Sequence, residues 1–220
     1  MRGRLSLGIL GCVLLYAAFA MIGLHLVGID HGLYYDMQMR YTTLDEIGLS
    51  DAELKEADRA LSACIRGDLS GLENWFNAKE IYHMGDVARL FQMLRVGIAV
   101  TLSGAGLLIG LSRGRRFAKA SAAGFALWAG LLAALALLIA SDFSAAFTAF
   151  HEILFTNDLW LLDPRTDLLI RMCPEEMFSA MALRIGLIGL GGAAAVPLTA
   201  SIAAYGRKKL DLRRVREDAR

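Results

Sequence analysis

The sequence has no Gly-x-Ser-x-Gly elbow, no Gly-rich phosphate loop ending in Lys, and no His-Glu-x-x-His helix. A serine acyl-enzyme, a P-loop phosphotransferase and a zincin-type hydrolase therefore each lack their signature. Cysteine is scarce: Cys12, Cys64 and Cys173 are the only three. None forms a Cys-x-x-Cys pair, which excludes a thiol-disulfide relay. No basic patch suited to nucleic acid is present, nor any internal repeat or low-complexity tract.

What the chain has in excess is apolar surface. Of 220 residues, 56% are hydrophobic, too many for an ordinary water-soluble domain. A membrane-spanning helix needs about 20 mostly apolar residues, and four stretches qualify: 5–27, 90–111, 117–140 and 185–205. The fold expected is an all-α membrane protein of four transmembrane helices.

Charge placement orients these spans. Of the 23 basic residues, 13 lie before residue 5, within 113–119 or in the tail 206–220, where acidic residues number 3. Residues 30–86 carry 12 acidic and 5 basic side chains, and residues 142–176 carry 7 and 2. By the positive-inside rule both termini are cytoplasmic, and segments 28–86 and 141–181 lie outside. Arg2, Arg4 and the run ending Ala18-Phe19-Ala20 could be mistaken for a signal peptide, but the apolar stretch continues to Val27 and fits an uncleaved anchor. Ile9-Leu10-Gly11-Cys12 follows too few apolar residues to be a lipoprotein processing site.

Segment 28–86 is too long for a connector and is expected to form an extracellular, mostly helical cap. Ser50 and Glu53 make a capping box ahead of Leu54, Ala57, Leu61 and Ile65, with Gly67 as a stop, so an amphipathic helix should run from Asp51 to Arg66. A second helix should begin near Leu72 or Trp75 and continue through His83 into the second span. Segment 141–181 is rich in aromatics, which favour the head-group level, and is expected to lie along the membrane surface. Cys64 and Cys173 share the external side; two free small apolar residues are expected, with a disulfide as the alternative. Gly186, Gly189, Gly191 and Gly192 in the fourth span suit close helix packing.

Among four histidines, two stand in company that can support chemistry. His83 follows Glu80 and precedes Asp86 at intervals of three, which places all three in one wedge of a helix. His151 lies in Phe-His-Glu-Ile-Leu-Phe, residues 150–155. Each is one to three turns outside a span and on the same side of the membrane, so the two can meet at the outer interface. A carboxylate beside an imidazole fixes its tautomer and raises its basicity. Glu80 or Asp86 is placed to serve His83 in this way, and Glu152, Asp158 or Asp163 to serve His151. His25 and His31, near the outer end of the first span, are expected to be bystanders. Arg95, a turn and a half inside the second span, is too costly to face lipid; snorkelling, pairing with Asp86 or Asp142, and binding an anionic head group are all open to it.

The run Glu-x-x-His-Met-x-Asp-Val at 80–87, Phe-His-Glu-Ile-Leu-Phe at 150–155, and the succession Trp160, Asp163-Pro164, Asp167-Leu168-Leu169-Ile170, Pro174 and Phe178 resemble the bacterial lipoprotein intramolecular transacylases, Lit, over almost the full length. The chain departs from that pattern at Ala88 and at Cys173. The resemblance implies a four-helix membrane domain with an extracellular cap, in the bacterial cytoplasmic membrane. It implies catalysis by His83 and His151 in the outer leaflet, with no metal and no cofactor. The implied reaction moves the sn-2 acyl chain of a diacylglyceryl lipoprotein onto the α-amino group of its own N-terminal cysteine. Partners would be the diacylated lipoprotein and membrane lipids, and not nucleic acid. Substrate amine and substrate ester then react with each other, in keeping with the missing enzyme nucleophile. An aromatic wall of Trp75, Phe76, Tyr82, Phe150, Phe155 and Trp160, with Arg95, would confine the acyl chain. Two alternatives remain at the level of sequence: a zinc-dependent lipid hydrolase using the histidines and nearby carboxylates, and a non-catalytic protein with bis-histidine haem.

Overall fold

In the computed structural model, the backbone is described for residues 2–112 and 117–218, and side chains for residues 5–112 and 117–210. Most of the basic segment 113–119 and the end of the basic tail lie outside the described residues. Every regular element of the described chain is a helix. Four long helices, α1 (Arg2–Gly28), α5 (Ala78–Leu111), α6 (Phe117–Ser141) and α9 (Glu175–Asp218), are long and apolar enough to cross a membrane. The rest are short: α2 (His31–Tyr41), α3 (Leu44–Ile47), α4 (Asp51–Arg66), a 3-10 turn (Leu72–Asn74), α7 (Phe143–Leu154) and α8 (Leu168–Met172).

The chain divides into two compact units. The first comprises residues 1–21, 97–134 and 186–220. Cys12, Tyr16 and Ala193 form its buried centre, packed by Phe19, Ile109, Phe125 and Trp128. Tyr16 satisfies its hydroxyl by donating to the Ser121 carbonyl at 2.9 Å, as a buried phenol in an apolar surround must. Glycine sets the helix spacing. A methyl group added at Gly189 would come within 3.0 Å of the Ala20 backbone, so α9 and α1 approach as closely as small-residue interfaces allow. Gly186 and Gly191 meet nothing within 4 Å among the described residues, so the glycines divide between packed and unpacked faces.

The second unit, residues 22–96 and 135–185, contains α2, α4, α7 and α8 with the adjoining ends of the long helices. Its core includes Leu54, Leu61, Ile65, Leu72, Met172 and Met177, each at most 3% exposed. α4 is built as its spacing predicts. Ser50 and Glu53 cap each other reciprocally, and Leu54, Ala57, Leu61 and Ile65 face inward. Gly67 ends the helix with φ of 110°, a left-handed conformation open to glycine. Cys64 and Cys173 are buried, free and part of this core.

α5 begins later than its apolar pattern predicts, at Ala78 instead of near Leu72 or Trp75. Asn77 sets the start. Its backbone N–H donates to Glu80 Oε2 at 2.8 Å, and its own Oδ1 accepts from the Glu80 N–H at 3.1 Å. This is the capping-box exchange with asparagine at the cap. The preceding residues form the 3-10 turn, entered through Gly71 at φ 88°.

Candidate functional site

His83 and His151 come together inside the second unit. α5 presents His83 on its second turn, α7 presents His151 on its last, and the ring centroids are 6.1 Å apart. Both are under a tenth exposed.

The surround of His151 is aromatic. Trp160 stacks on it at 4.9 Å and Phe155 at 5.5 Å, while Phe147 lies 4.2 Å away and Phe150 meets it edge-on at 5.4 Å. Helical spacing explains part of this box, because Phe147, His151 and Phe155 recur every four residues on one face. Phe155 also contacts His83, at 5.0 Å, and so packs against both rings. Phe178 of α9 backs Phe147 at 5.3 Å.

The His151 tautomer follows from its hydrogen bond to the backbone. Nδ1 lies 2.7 Å from the Phe147 carbonyl. A carbonyl only accepts, so Nδ1 carries the proton, and in the neutral ring Nε2 has the free lone pair. Burial pulls the His151 pKa down, with the carbonyl bond opposing it, so the ring is neutral at physiological pH. His83 Nδ1 is buried and, among the described residues, has no hydrogen-bond partner. Two imidazoles this close resist carrying two protons at once.

The carboxylates are arranged differently from the sequence expectation. Glu80 shares the His83 face but is committed elsewhere: it is 1% exposed, and besides the Asn77 N–H it accepts the Leu169 N–H at 2.6 Å. It satisfies a free amide in the first turn of α8 and holds the scaffold. Burial, and then the neighbouring His151, pull the His83 pKa down to about 4 against the weaker pull of Asp86. Asp86 also accepts from Asn157 Nδ2 at 2.9 Å, with Arg89 3.2 Å away. Glu152 follows His151 directly, which turns it about 100° around the helix, and it is exposed. Asp163 pairs with Arg165 at 2.7 Å, and Asp158 is exposed. Neither Glu152 nor Asp163 orients a histidine.

The expected wall divides in the same way. Phe150, Phe155 and Trp160 surround the rings. Phe76 is 5% exposed within the hydrophobic core, with Trp75 packed against that core, and Tyr82 is 69% exposed. Tyr82 precedes His83 by one residue and so points off the shared face. Arg95 is absent from the site as well. It donates to the Ile65 carbonyl at 3.2 Å, in the last turn of α4, where carbonyls lack helical partners and the helix dipole favours a cation.

Five residues outside the sequence-derived site hold it in place. The Phe147 carbonyl fixes the tautomer, and Asn157 ties the loop after α7 to Asp86. Asn77 Nδ2 donates to Asp167 Oδ1 at 2.9 Å, and Asp167 Oδ2 accepts the Asp163 N–H at 2.8 Å. Lys79 bridges the same strands of chain, 3.6 Å from Asp167 and bonded to the Leu161 carbonyl. The loop carrying Trp160 is thus clamped to the first two turns of α5.

The arrangement suits proton transfer. A buried base with a fixed tautomer stands beside a second imidazole, in a surround that excludes water. Cys64 and Cys173 are held as thiols at neutral pH: burial pushes the Cys64 thiol up to about 11 and the Cys173 thiol up to about 12. A zinc site would need donors now held elsewhere, and among the described residues no three of His, Cys, Asp and Glu converge.

The family described as lipoprotein intramolecular transacylase Lit matches residues 9–178, which include both histidines and the whole aromatic box. Among solved structures, the membrane integral lipoprotein intramolecular transacylase Lit from Bacillus cereus is 25% identical. It superposes with a TM-score of 0.75 over 92% of this chain and 96% of that one. Two variants of the same protein, with one histidine replaced by arginine or by alanine, are 23% identical at TM-scores of 0.71 and 0.68. They cover 96% and 92% of this chain and 94% of theirs. None of the curated protein sequences matches the chain.

Proposed function

Because the chain belongs to the lipoprotein intramolecular transacylase (Lit) family, we propose that it transfers the sn-2 acyl chain of a diacylglyceryl lipoprotein to the α-amino group of the lipoprotein's N-terminal cysteine, using His151 and His83 as base and acid. The product is a lyso-form lipoprotein bearing an amide in place of one ester.

The observation that carries the assignment of roles is the 2.7 Å contact from His151 Nδ1 to the Phe147 carbonyl. It leaves Nε2 as the only free base on that ring. An α-amino group has a pKa of about 7.7–8.0, so near neutrality most of it is protonated, and a local base is needed to free the nucleophile. His151 takes a proton from the amine as nitrogen attacks the ester carbonyl. The carbon–oxygen bond to the glyceryl group then breaks, and the departing oxygen takes a proton from the minority protonated form of His83, which burial and then His151 make a strong acid against the weaker pull of Asp86. From the free amine one N–H is exchanged for one O–H, while the proton first shed by the ammonium leaves to bulk solvent; return of a proton from His151 to His83 by way of bulk solvent resets the pair. Amine and ester belong to one molecule, so confinement by Phe150, Phe155 and Trp160 contributes through orientation.

The membrane placement belongs to the same proposal. Both histidines precede or follow apolar runs at the acidic side of the chain, which supports an outer-leaflet site with both termini cytoplasmic.

Purified protein incubated with a synthetic diacylglyceryl lipopeptide bearing a free N-terminus tests the reaction. Intramolecular transfer leaves the parent mass unchanged, so fragment ions must locate the acyl chain. Movement to nitrogen is the expected result; a glyceryl group still doubly esterified after prolonged incubation ends the proposal.

A further inference from the structure

Apart from the histidine pair, the second unit holds a charged cleft of about 500 Å³ formed by the start of α2, by α4 and by α9. Two of its charged side chains are already engaged. Asp30 caps α2 by accepting the Leu33 N–H at 3.0 Å, and Lys55 is paired with Asp51 at 2.8 Å. Arg59, Arg184 and Asp36 also line it, are exposed, and have no hydrogen-bond or ion-pair partner among the described residues. Two guanidinium groups and one carboxylate from three helices thus open on one space.

The cleft's place on the helices indicates what meets it. Arg184 immediately precedes 21 residues without a charge, Ile185 to Tyr205. Asp30 follows the apolar length of α1 just as directly, and the stretch 5–29 contains no Asp, Glu, Lys or Arg. Cationic side chains at such a boundary are at the level of lipid phosphates. A guanidinium pair offers a fixed array of donors suited to phosphate oxygens. A carboxylate on the same cleft is unfavourable for a purely anionic head, yet favourable where the head also carries an ammonium.

We propose that Arg59 and Arg184 bind the phosphodiester of a membrane phospholipid whose ammonium group is received by Asp36, making the cleft a site for an ethanolamine-type head group. The site is separate from the transacylation centre and does not depend on that assignment. The bound lipid would bridge α4 to α9.

Native mass spectrometry of the full chain in detergent, offered equimolar phosphatidylethanolamine, phosphatidylglycerol and phosphatidylcholine of the same acyl chains, tests it. Wild type should retain the ethanolamine lipid at least about five-fold over the choline lipid, and Arg59→Gln with Arg184→Gln should lower retention by a similar factor. Asp36→Asn should erase the preference for ethanolamine over glycerol while leaving phosphate-dependent binding. Equal retention of all three lipids by wild type would overturn the proposal without recourse to any variant. Displacement of the lipid by millimolar inorganic phosphate would assign the cleft to free phosphate instead. Loss of acidic lipopeptide binding in the double variant, with phospholipid retention unchanged, would make the cleft a substrate-docking surface.

Discussion

Two pairs of buried polar side chains lie in the same unit and are held in opposite ways. Gln38 and Asp58, 0% and 1% exposed, are bonded to each other at 2.9 Å, yet Gln38 Oε1 and Asp58 Oδ2 have no partner among the described residues. His83 and His151 are not bonded to each other; one is anchored on a backbone carbonyl, and both are walled by rings. In the first pair burial drives the Asp58 carboxyl up to about 7, which costs stability whenever the group ionises. In the second, burial keeps His151 unprotonated and so free to accept a proton, which serves a reaction. The same low-dielectric surround is a structural cost at one place and a chemical resource at the other.

Removing the reactive pair should have the largest effect. His151→Ala and His83→Ala should each reduce acyl transfer by about 10³-fold, as expected for loss of a general base or acid, while unfolding temperature in detergent changes little. A double variant no slower than either single one would show that the two act as a unit. A single variant with near-normal turnover would remove that residue from the mechanism.

A smaller loss separates charge from geometry beside His83. Asp86→Asn keeps an oxygen for the Asn157 amide but removes the negative charge, whereas Asn157→Ala breaks the tether and leaves the charge. If Asp86 supports the protonated ring, its substitution should lower kcat by about 10-fold or more and shift the pH profile. Asn157→Ala should act mainly on KM, through the loop that carries Trp160. Identical effects on both parameters would reduce Asp86 to a tether.

For the structural pair the expected change is in stability alone. The folded Asp58 carboxyl titrates near 7 against 3.8 in the open chain. Between those values the folded protein binds the extra proton, so the favourable contribution, complete below 3.8, is lost as pH rises toward 7. Asp58→Asn should flatten this dependence and raise the unfolding temperature at pH 8, on the order of 5 °C, with transacylation unchanged. A variant that melts lower at pH 8 would mean that the charge has an unseen partner.

Local signals in the chain were sufficient for some of this and not for the rest. α4 is legible because capping, periodicity and the glycine stop agree over one continuous stretch. The meeting of His83 with His151 was expected from their positions relative to apolar runs. The start of α5 was also written in the sequence, as Asn77-x-x-Glu80, but apolar spacing upstream masked it. Glu80 and Arg95 were different: each is an ionisable group whose partner, Leu169 or Ile65, is a backbone atom tens of residues away. No side-chain pattern encodes a backbone donor or acceptor, and for the same reason the Phe147 carbonyl that fixes the His151 tautomer left no trace.

The smallest effect is expected at the carboxylate that sequence proximity favoured most. Glu152→Gln should leave kcat within about two-fold, as surface substitutions away from special features usually do, because its side chain points away from the imidazole it follows. The acid limb supplies a second check. The His151 pKa lies below its ordinary value of 6.5, so its base form persists as pH falls through that value. Between pH 6.5 and 8 the rate should therefore follow the substrate amine, and should shift when the N-terminal amine is replaced by one of lower pKa. A profile that moves with Glu152→Gln instead would restore that carboxylate to the site and place the proton on the other nitrogen of His151.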